Sequence, residues 1–218
     1  MRRVIARRLL EAKQSIPHYD LTVDVELDAV LDVRRGLNAG RANGERLSLN
    51  DFVVKAVGRA LREIPAVNAS WTEDAVLHHA GIDVAVAVST GAGLITPVVR
   101  SVDEKAVAVI SAELKALADR ARAGRLRPDE YQGGGFTVSN LGMYGVREFA
   151  AIINPPQSGI LAVGAAEPRP VVRDGAVVIR TLMTCTLSAD HRTVDGAVGA
   201  QFLSAFRSAL ERPLALFT

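Results

Sequence analysis

The chain has 218 residues, 49% of them hydrophobic and 23% charged, a balance that suits a folded globular protein and argues against a disordered one. Its 26 cations nearly cancel its 24 anions and only 5% of residues are aromatic, a poor composition for a basic groove that stacks bases. No run approaches about 20 consecutive apolar residues, so a membrane span or secretory signal is not expected, and the single cysteine, Cys185, cannot form an internal bridge.

A chain of this size buries roughly 70% of the surface its unfolded form exposes, enough for a core without metal or disulfide staples. There is no internal repeat and no Pro- or Ser-rich linker, so residues 1–218 read as one domain. In chain order, Val4, Ile5, Leu9 and Leu10 share one side of a short basic helix that Pro17 stops, and LTVDVEL alternates as a strand. Leu49 to Ile64 reads as a helix, with Phe52, Val53, Ala56, Val57, Ala60 and Leu61 at helical spacing, Ser48 or Asn50 as cap, and Pro65 at its end.

Ile82 to Val88 and Leu94 to Val99 are rich in β-branched residues and read as a hairpin closed by Thr90, Gly91, Ala92 and Gly93. Ala106 to Arg122 is an amphipathic helix. Gly133 to Gly135 reads as a flexible connection into a short strand, Phe136 to Ser139, followed by a turn at Asn140, Leu141 and Gly142. Strands follow at Gly159 to Gly164 and Ala176 to Ser188, and a last helix spans Ala197 to Glu211 with Pro213 beyond it. Helices and strands are interspersed, which predicts an α/β (α+β) two-layer sandwich with a mixed sheet.

Chemistry is harder to find. The four histidines, His18, His78, His79 and His191, have no metal-ligand spacing with other donors, and no phosphate-binding glycine motif is present. The informative segment is Ser188 to Gly196, which joins an apolar strand to the last helix, where a rigid scaffold holds side chains at an open edge. His191, with an ordinary imidazole pKa of about 6.5, is a candidate general base there. A histidine beside two aspartates and an arginine is also the composition of a surface ion-pair cluster. Ser139 reads equally as a turn-forming serine, and Asp195 as the N-cap of the last helix.

The segment His191 to Gly196 matches H-x-x-x-D-G, and it does not stand alone. Ile16-Pro17-His18, LSLNDFVVKAVGRAL, VAVSTGAGLITPVVR, GGGFTVSNLGMYG and LSADHRTVDGAVGAQF follow one another over nearly the whole chain. In these segments and their order, the sequence resembles the catalytic domains of dihydrolipoamide acyltransferases of 2-oxoacid dehydrogenase complexes, within the chloramphenicol acetyltransferase-like superfamily. FTVSNLGMYGVREFAAIINPPQ and DGAVGAQ resemble most the members that transfer acetyl groups.

That resemblance implies acetyl transfer between coenzyme A and the dihydrolipoyl thiol of a lipoyl domain, with no metal. Branched-chain or succinyl transfer, a noncatalytic core scaffold and a small-molecule O-acetyltransferase stand as alternatives. His191 matches the family's base, Ser139 its oxyanion donor, and Asp195 the residue that supports the active-site conformation. Arg34, or Arg35 if the register slips by one, matches the arginine that meets the 3′-phosphate of coenzyme A. Arg2 and Arg3 are candidates for pairing with Asp195.

The resemblance further implies a trimer with each site between two subunits, and possible assembly of trimers into a 24-mer or 60-mer core. Pro213 to Phe217 either joins trimers or covers its own core. Lipoyl and peripheral subunit-binding domains, which bring the decarboxylase and dihydrolipoamide dehydrogenase, are expected outside this chain. The location implied is the bacterial cytoplasm, or the mitochondrial matrix in a eukaryote.

Overall fold

A computed structural model describes residues 2–91 and 93–217, with side chains from residue 6 onward. Helix α1, Arg2–Ser15, ends before Pro17; of its described side chains only Ala12 is buried. Strand β1, His18–Glu26, begins three residues ahead of the apolar alternation. Its start is set by pairing: residues from His18, opposite Asp190, to Glu26, opposite Leu182, face the chain's last strand in one antiparallel ladder.

Helix α2, Asp28–Asn38, fully buries only Val30, with Leu31 and Val33 packed half-buried against the core. Helix α3, Leu49–Glu63, is the opposite case, with Phe52, Val53, Val54, Ala56, Val57, Ala60 and Leu61 all buried. Its cap is Ser48: the serine hydroxyl accepts from Asp51 N at 3.3 Å while Asp51 Oδ2 accepts from Ser48 N at 2.7 Å. Two orphan donors are thereby satisfied at the helix start.

Strands β2, Ala69–Trp71, and β3, Val76–His78, make a small ribbon that is too short for periodicity to reveal. The expected hairpin of residues 82–99 is present but divided. Its base, β4 (Val84–Val86) with β7 (Val98–Val99), joins the main sheet, while β5 (Val88–Thr90) and β6 (Gly93–Ile95) form a separate ribbon. The division falls where Ala87 N turns to Val138 O, on the neighbouring strand. Helix α4, Val107–Arg122, runs as expected and buries Ile110 and Leu117.

The three glycines at 133–135 are pinned rather than loose. Gly133 O accepts from Arg100, Gly134 O accepts from Gln157 Nε2, and Gly135 N donates to Asp83 O. They lead into β8, Phe136–Asn140, buried through Val138. Strands β9, Gly159–Arg173, and β10, Ala176–Asp190, are each 15 residues long; β10 begins where the sequence places it, whereas β9 runs well past Gly164. They meet at Asp174 and Gly175, whose φ values of 51° and 77° are the left-handed pair a tight two-residue hairpin turn requires. Helix α5, Gly196–Glu211, packs Phe202, Leu203, Phe206 and Leu210 inward.

The main sheet has six strands in the order β1-β10-β9-β8-β4-β7, parallel only at β9-β8 and β8-β4. Helices α3 and α5 join the inner sides of β10, β8 and β4 in one continuous core. This is the two-layer α/β sandwich with a mixed sheet. Among the described residues no helix is long and apolar enough to cross a membrane.

Candidate active site

His191 follows directly on the end of β10. Asp190 N donates to Ser158 O at 2.9 Å and Asp190 O accepts from Thr193 N and Val194 N, so the chain turns sharply through residues 190–194. At the crest of that turn His191 N donates to Pro17 O at 3.1 Å and the imidazole is exposed. The Tyr19 ring, one strand over, lies against it with centroids 4.7 Å apart and a 57° tilt. That ring is fixed in turn because Tyr19 Oη donates to Asp195 O at 2.7 Å. Gly199 makes room: a Cβ there would stand 2.7 Å from Tyr19 Oη. Burial, and then the charge of Asp195, push the Tyr19 hydroxyl above its ordinary pKa, which keeps it a proton donor.

Asp195 caps α5, its Oδ1 accepting from Val198 N at 2.8 Å. The capping reading of this residue is therefore correct, and the cap fixes where the His191 turn enters the helix. The side chains of Arg2 and Arg3, candidates for pairing with Asp195, lie outside the described residues. The surface ion-pair reading of the segment holds only in part: Arg192 pairs through Nε at 2.9 Å and NH2 at 2.7 Å with Asp190, whose carboxylate is buried rather than on the surface. His191 takes no part in it.

Ser139 is the fourth residue of β8 and half-buried. The turn after it is made by Asn140, whose Oδ1 accepts from Gly142 N at 2.9 Å and whose Nδ2 donates to Asn50 Oδ1 at 3.0 Å. Ser139 Oγ has no hydrogen-bond partner among the described residues, so the turn does not consume it as a turn-forming serine would be consumed. Arg34, on α2, is half-buried and donates through Nε to Leu47 O at 2.9 Å. Arg35 is exposed and paired with Asp32 at 3.0 Å.

The sheet keeps His191 and Ser139 of one chain apart. Ser139 pairs with Ala162, which pairs with Thr186, two strands across and five residues short of His191. With strands about 4.8 Å apart and a rise of about 3.4 Å per residue, the two are separated by roughly 20 Å. A side chain cannot span that distance, so the two can act on one reacting group only if they come from different chains. Cys185 is no alternative nucleophile, since complete burial, and then the charge of Asp24, raise its thiol far above the ordinary range.

Sequence reasoning alone does not single out Tyr19 or Trp71, which lies under Arg192, and it offers Asp190 and Arg192 only as members of a surface cluster. The one visible signal of Tyr19 is its adjacency to Ile16-Pro17-His18.

The fold is that of an acyltransferase catalytic domain, and the chain belongs to the 2-oxoacid dehydrogenases acyltransferase (catalytic domain) family, whose model matches residues 1–218. It is 49% identical over 215 residues to the dihydrolipoyllysine-residue acetyltransferase component of the pyruvate dehydrogenase complex of Rickettsia felis, covering 98% of this chain and 52% of that protein. To the Rhizobium meliloti component it is 50% identical, covering 99% of this chain and 49% of that protein. The chain thus spans about half the length of these relatives.

Among solved structures it matches the dihydrolipoamide acetyltransferase of Azotobacter vinelandii with a TM-score of 0.95 and 30% identity, over 99% of this chain and 90% of that one. The cubic core of a pyruvate dehydrogenase multienzyme complex matches with a TM-score of 0.95 and 30% identity, over 100% and 90%. Chloramphenicol acetyltransferase, at 18% identity and a TM-score of 0.55 over 94% and 92%, shares the fold.

Proposed function

We propose that this chain is the catalytic domain of a pyruvate dehydrogenase acetyltransferase, exchanging acetyl groups between coenzyme A and dihydrolipoyl thiols carried on a lipoyl domain outside it. One observation carries the reading. The Azotobacter vinelandii enzyme was studied for a serine, a histidine and an asparagine in its catalytic mechanism, spaced 52 and then 4 residues apart. Ser139, His191 and Asp195 repeat both intervals, with aspartate in place of asparagine. Asparagine and aspartate share the side-chain oxygen that caps α5, so the exchange conserves that role.

In the forward direction a thiol enters beside His191, and the imidazole takes its proton because the thiol, with a pKa of about 8.5, is a weak nucleophile until ionised. The thiolate sulfur attacks the thioester carbonyl carbon. Negative charge collects on the carbonyl oxygen, where Ser139 Oγ of the neighbouring subunit donates a hydrogen bond; one such donor is worth roughly 100-fold to 1,000-fold in rate. Collapse of the tetrahedral adduct breaks the other carbon–sulfur bond, and the departing thiolate recovers the proton from the imidazolium. Asp195 holds the turn and does not exchange a proton. Arg34, on its helix, supplies a planar guanidinium for the 3′-phosphate.

The test is acetyl transfer from acetyl-CoA to free dihydrolipoamide. His191→Ala and Ser139→Ala each lose most activity. Co-assembled in equal amounts, the two variants recover about a quarter of the wild-type rate, because random mixing in a closed ring restores one site in four when His and Ser come from different subunits. Activity in His191→Ala at the wild-type level defeats the mechanism. No recovery on mixing defeats the shared site.

A further inference from the structure

We infer that Arg192, held between Asp190 and the face of Trp71, is the positioning residue that fixes the His191 turn for proton transfer. The inference deepens the acetyltransferase reading and rests on it for the reaction measured.

The arrangement starts from a buried charge. The Asp190 side chain is only 3% exposed, at the end of a central strand, where an uncompensated carboxylate is costly. Arg192 answers it from two residues away. Its Nε and NH2 meet the two carboxylate oxygens, and its backbone N–H donates to the same Oδ1 at 3.0 Å. The carboxylate therefore ties the backbone after His191 to the residue before it. With His191 N bound to Pro17 O, the backbone on both sides of the imidazole is fixed.

The fork needs a lid, and Trp71 supplies it. The Arg192 guanidinium carbon lies 3.8 Å from the centroid of the Trp71 ring, a cation-π stack that shields the ion pair from water. Trp71 ends β2, and that strand is fastened to the same place: Ser158 N donates to Ala69 O, while Ser158 O receives Asp190 N. The lid and the buried carboxylate thus share one anchor, Ser158. Lysine has the charge of arginine but neither the fork nor the flat face, so the geometry requires arginine.

Trp71 is the chain's only tryptophan, so its emission reports the stack directly. The experiment compares Arg192→Lys, Arg192→Leu, Trp71→Phe and Trp71→Leu in the assembled protein. It adds the double variant Asp190→Asn/Arg192→Leu, which breaks the clamp without leaving a buried charge unpaired. Acetyl transfer gives kcat and both KM values, and emission spectra are taken for every variant that keeps Trp71. Arg192→Leu and the double variant are expected to lose about 100-fold in kcat with KM values within about twofold, since a small misplacement of a reacting group is that costly. Arg192→Lys falls between them and wild type. Trp71→Phe keeps a flat ring and most of the rate, whereas Trp71→Leu does not.

The emission of Trp71 shifts in both Arg192→Leu backgrounds. Wild-type kcat in the folded double variant overturns the inference, as do equal rates for Trp71→Phe and Trp71→Leu. A rise in KM at constant kcat overturns it too, since Arg192 would then bind substrate. If the wild type itself transfers no acetyl, the acetyltransferase reading fails, and an unchanged Trp71 spectrum in Arg192→Leu is what would then refute the clamp.

Discussion

Tyr19 and His191 stand ring against ring with centroids 4.7 Å apart, and the tyrosine is held there by its own hydrogen bond to Asp195 O. The contact makes two separable predictions. Tyr19→Phe keeps the ring and loses one hydrogen bond, so stability falls by about 1 kcal/mol and kcat only a few-fold. Tyr19→Ala frees the imidazole and lowers kcat by roughly 10-fold to 100-fold. Steady-state acetyl transfer alongside urea unfolding separates the two effects.

Asp195 offers a cap to α5, so Asp195→Ala costs about 1 kcal/mol while Asp195→Asn, which keeps the oxygen, costs a few tenths. Thermal unfolding measures this. If Asp195 acted by proton exchange, the asparagine variant would be the inactive one. Retained acetyl transfer in Asp195→Asn is the expected outcome.

Cys185 gives a pH dependence. Burial raises its thiol pKa in the folded protein, so the folded state keeps the proton after the unfolded chain, with a thiol pKa of about 8.5, has lost it. Its contribution to stability is complete below that pH and drains away as the pH rises above it. The slope is on the order of 1 kcal/mol per pH unit. Urea unfolding between pH 8 and pH 10 should therefore fall more steeply for wild type than for Cys185→Ala, although the variant is less stable at neutral pH. A thiol-specific reagent should leave native Cys185 unmodified.

The C-terminal turn, residues 213–217, divides its apolar residues. Pro213 and Leu216 are buried, whereas Leu214 is 75% exposed and Phe217 50% exposed. Pro213 and Leu216 thus cover the chain's own core, and Leu214 and Phe217 are the apolar side chains left to meet another trimer. Leu214→Ser with Phe217→Ser should leave the unfolding temperature nearly unchanged and reduce the assembly to trimers, as read by mass in solution. Leu216→Ala should lower stability by about 2 to 5 kcal/mol instead.

Much of this fold is legible along the chain. Helices α3, α4 and α5 carry apolar residues at helical spacing because each lays one face on the core, and Ser48 and Asp195 mark two of their starts with side chains that cap. Helix α2 also rests an apolar face on the core, but only Val30 of it is fully buried and the helix is short, so it stands out less along the chain. The sequence marks β10 from Ala176 onward, but the outer half of β9, residues 166–173, lies beyond the core and alternates only between exposed and half-buried positions, so it emerges only through its pairing with β10 across the Asp174-Gly175 turn. The hairpin of residues 82–99 is read correctly as a pairing but not as belonging to two sheets, because that choice rests on Val138, a residue some 40 positions further on.

The site divides in the same way. Residue types and intervals are one-dimensional facts, so His191, Ser139, Asp195 and Arg34 can be named from the sequence, and the likeness to a family gives each a role. Their arrangement is not one-dimensional. Only the strand order β10-β9-β8 separates His191 from Ser139 beyond the reach of any side chain, and only packing brings Tyr19 and Trp71, 176 and 121 positions from Asp195 and Arg192, against the turn that holds His191. Spacing along a chain records which groups are available. Long-range pairing, which no local pattern encodes, decides which of them meet.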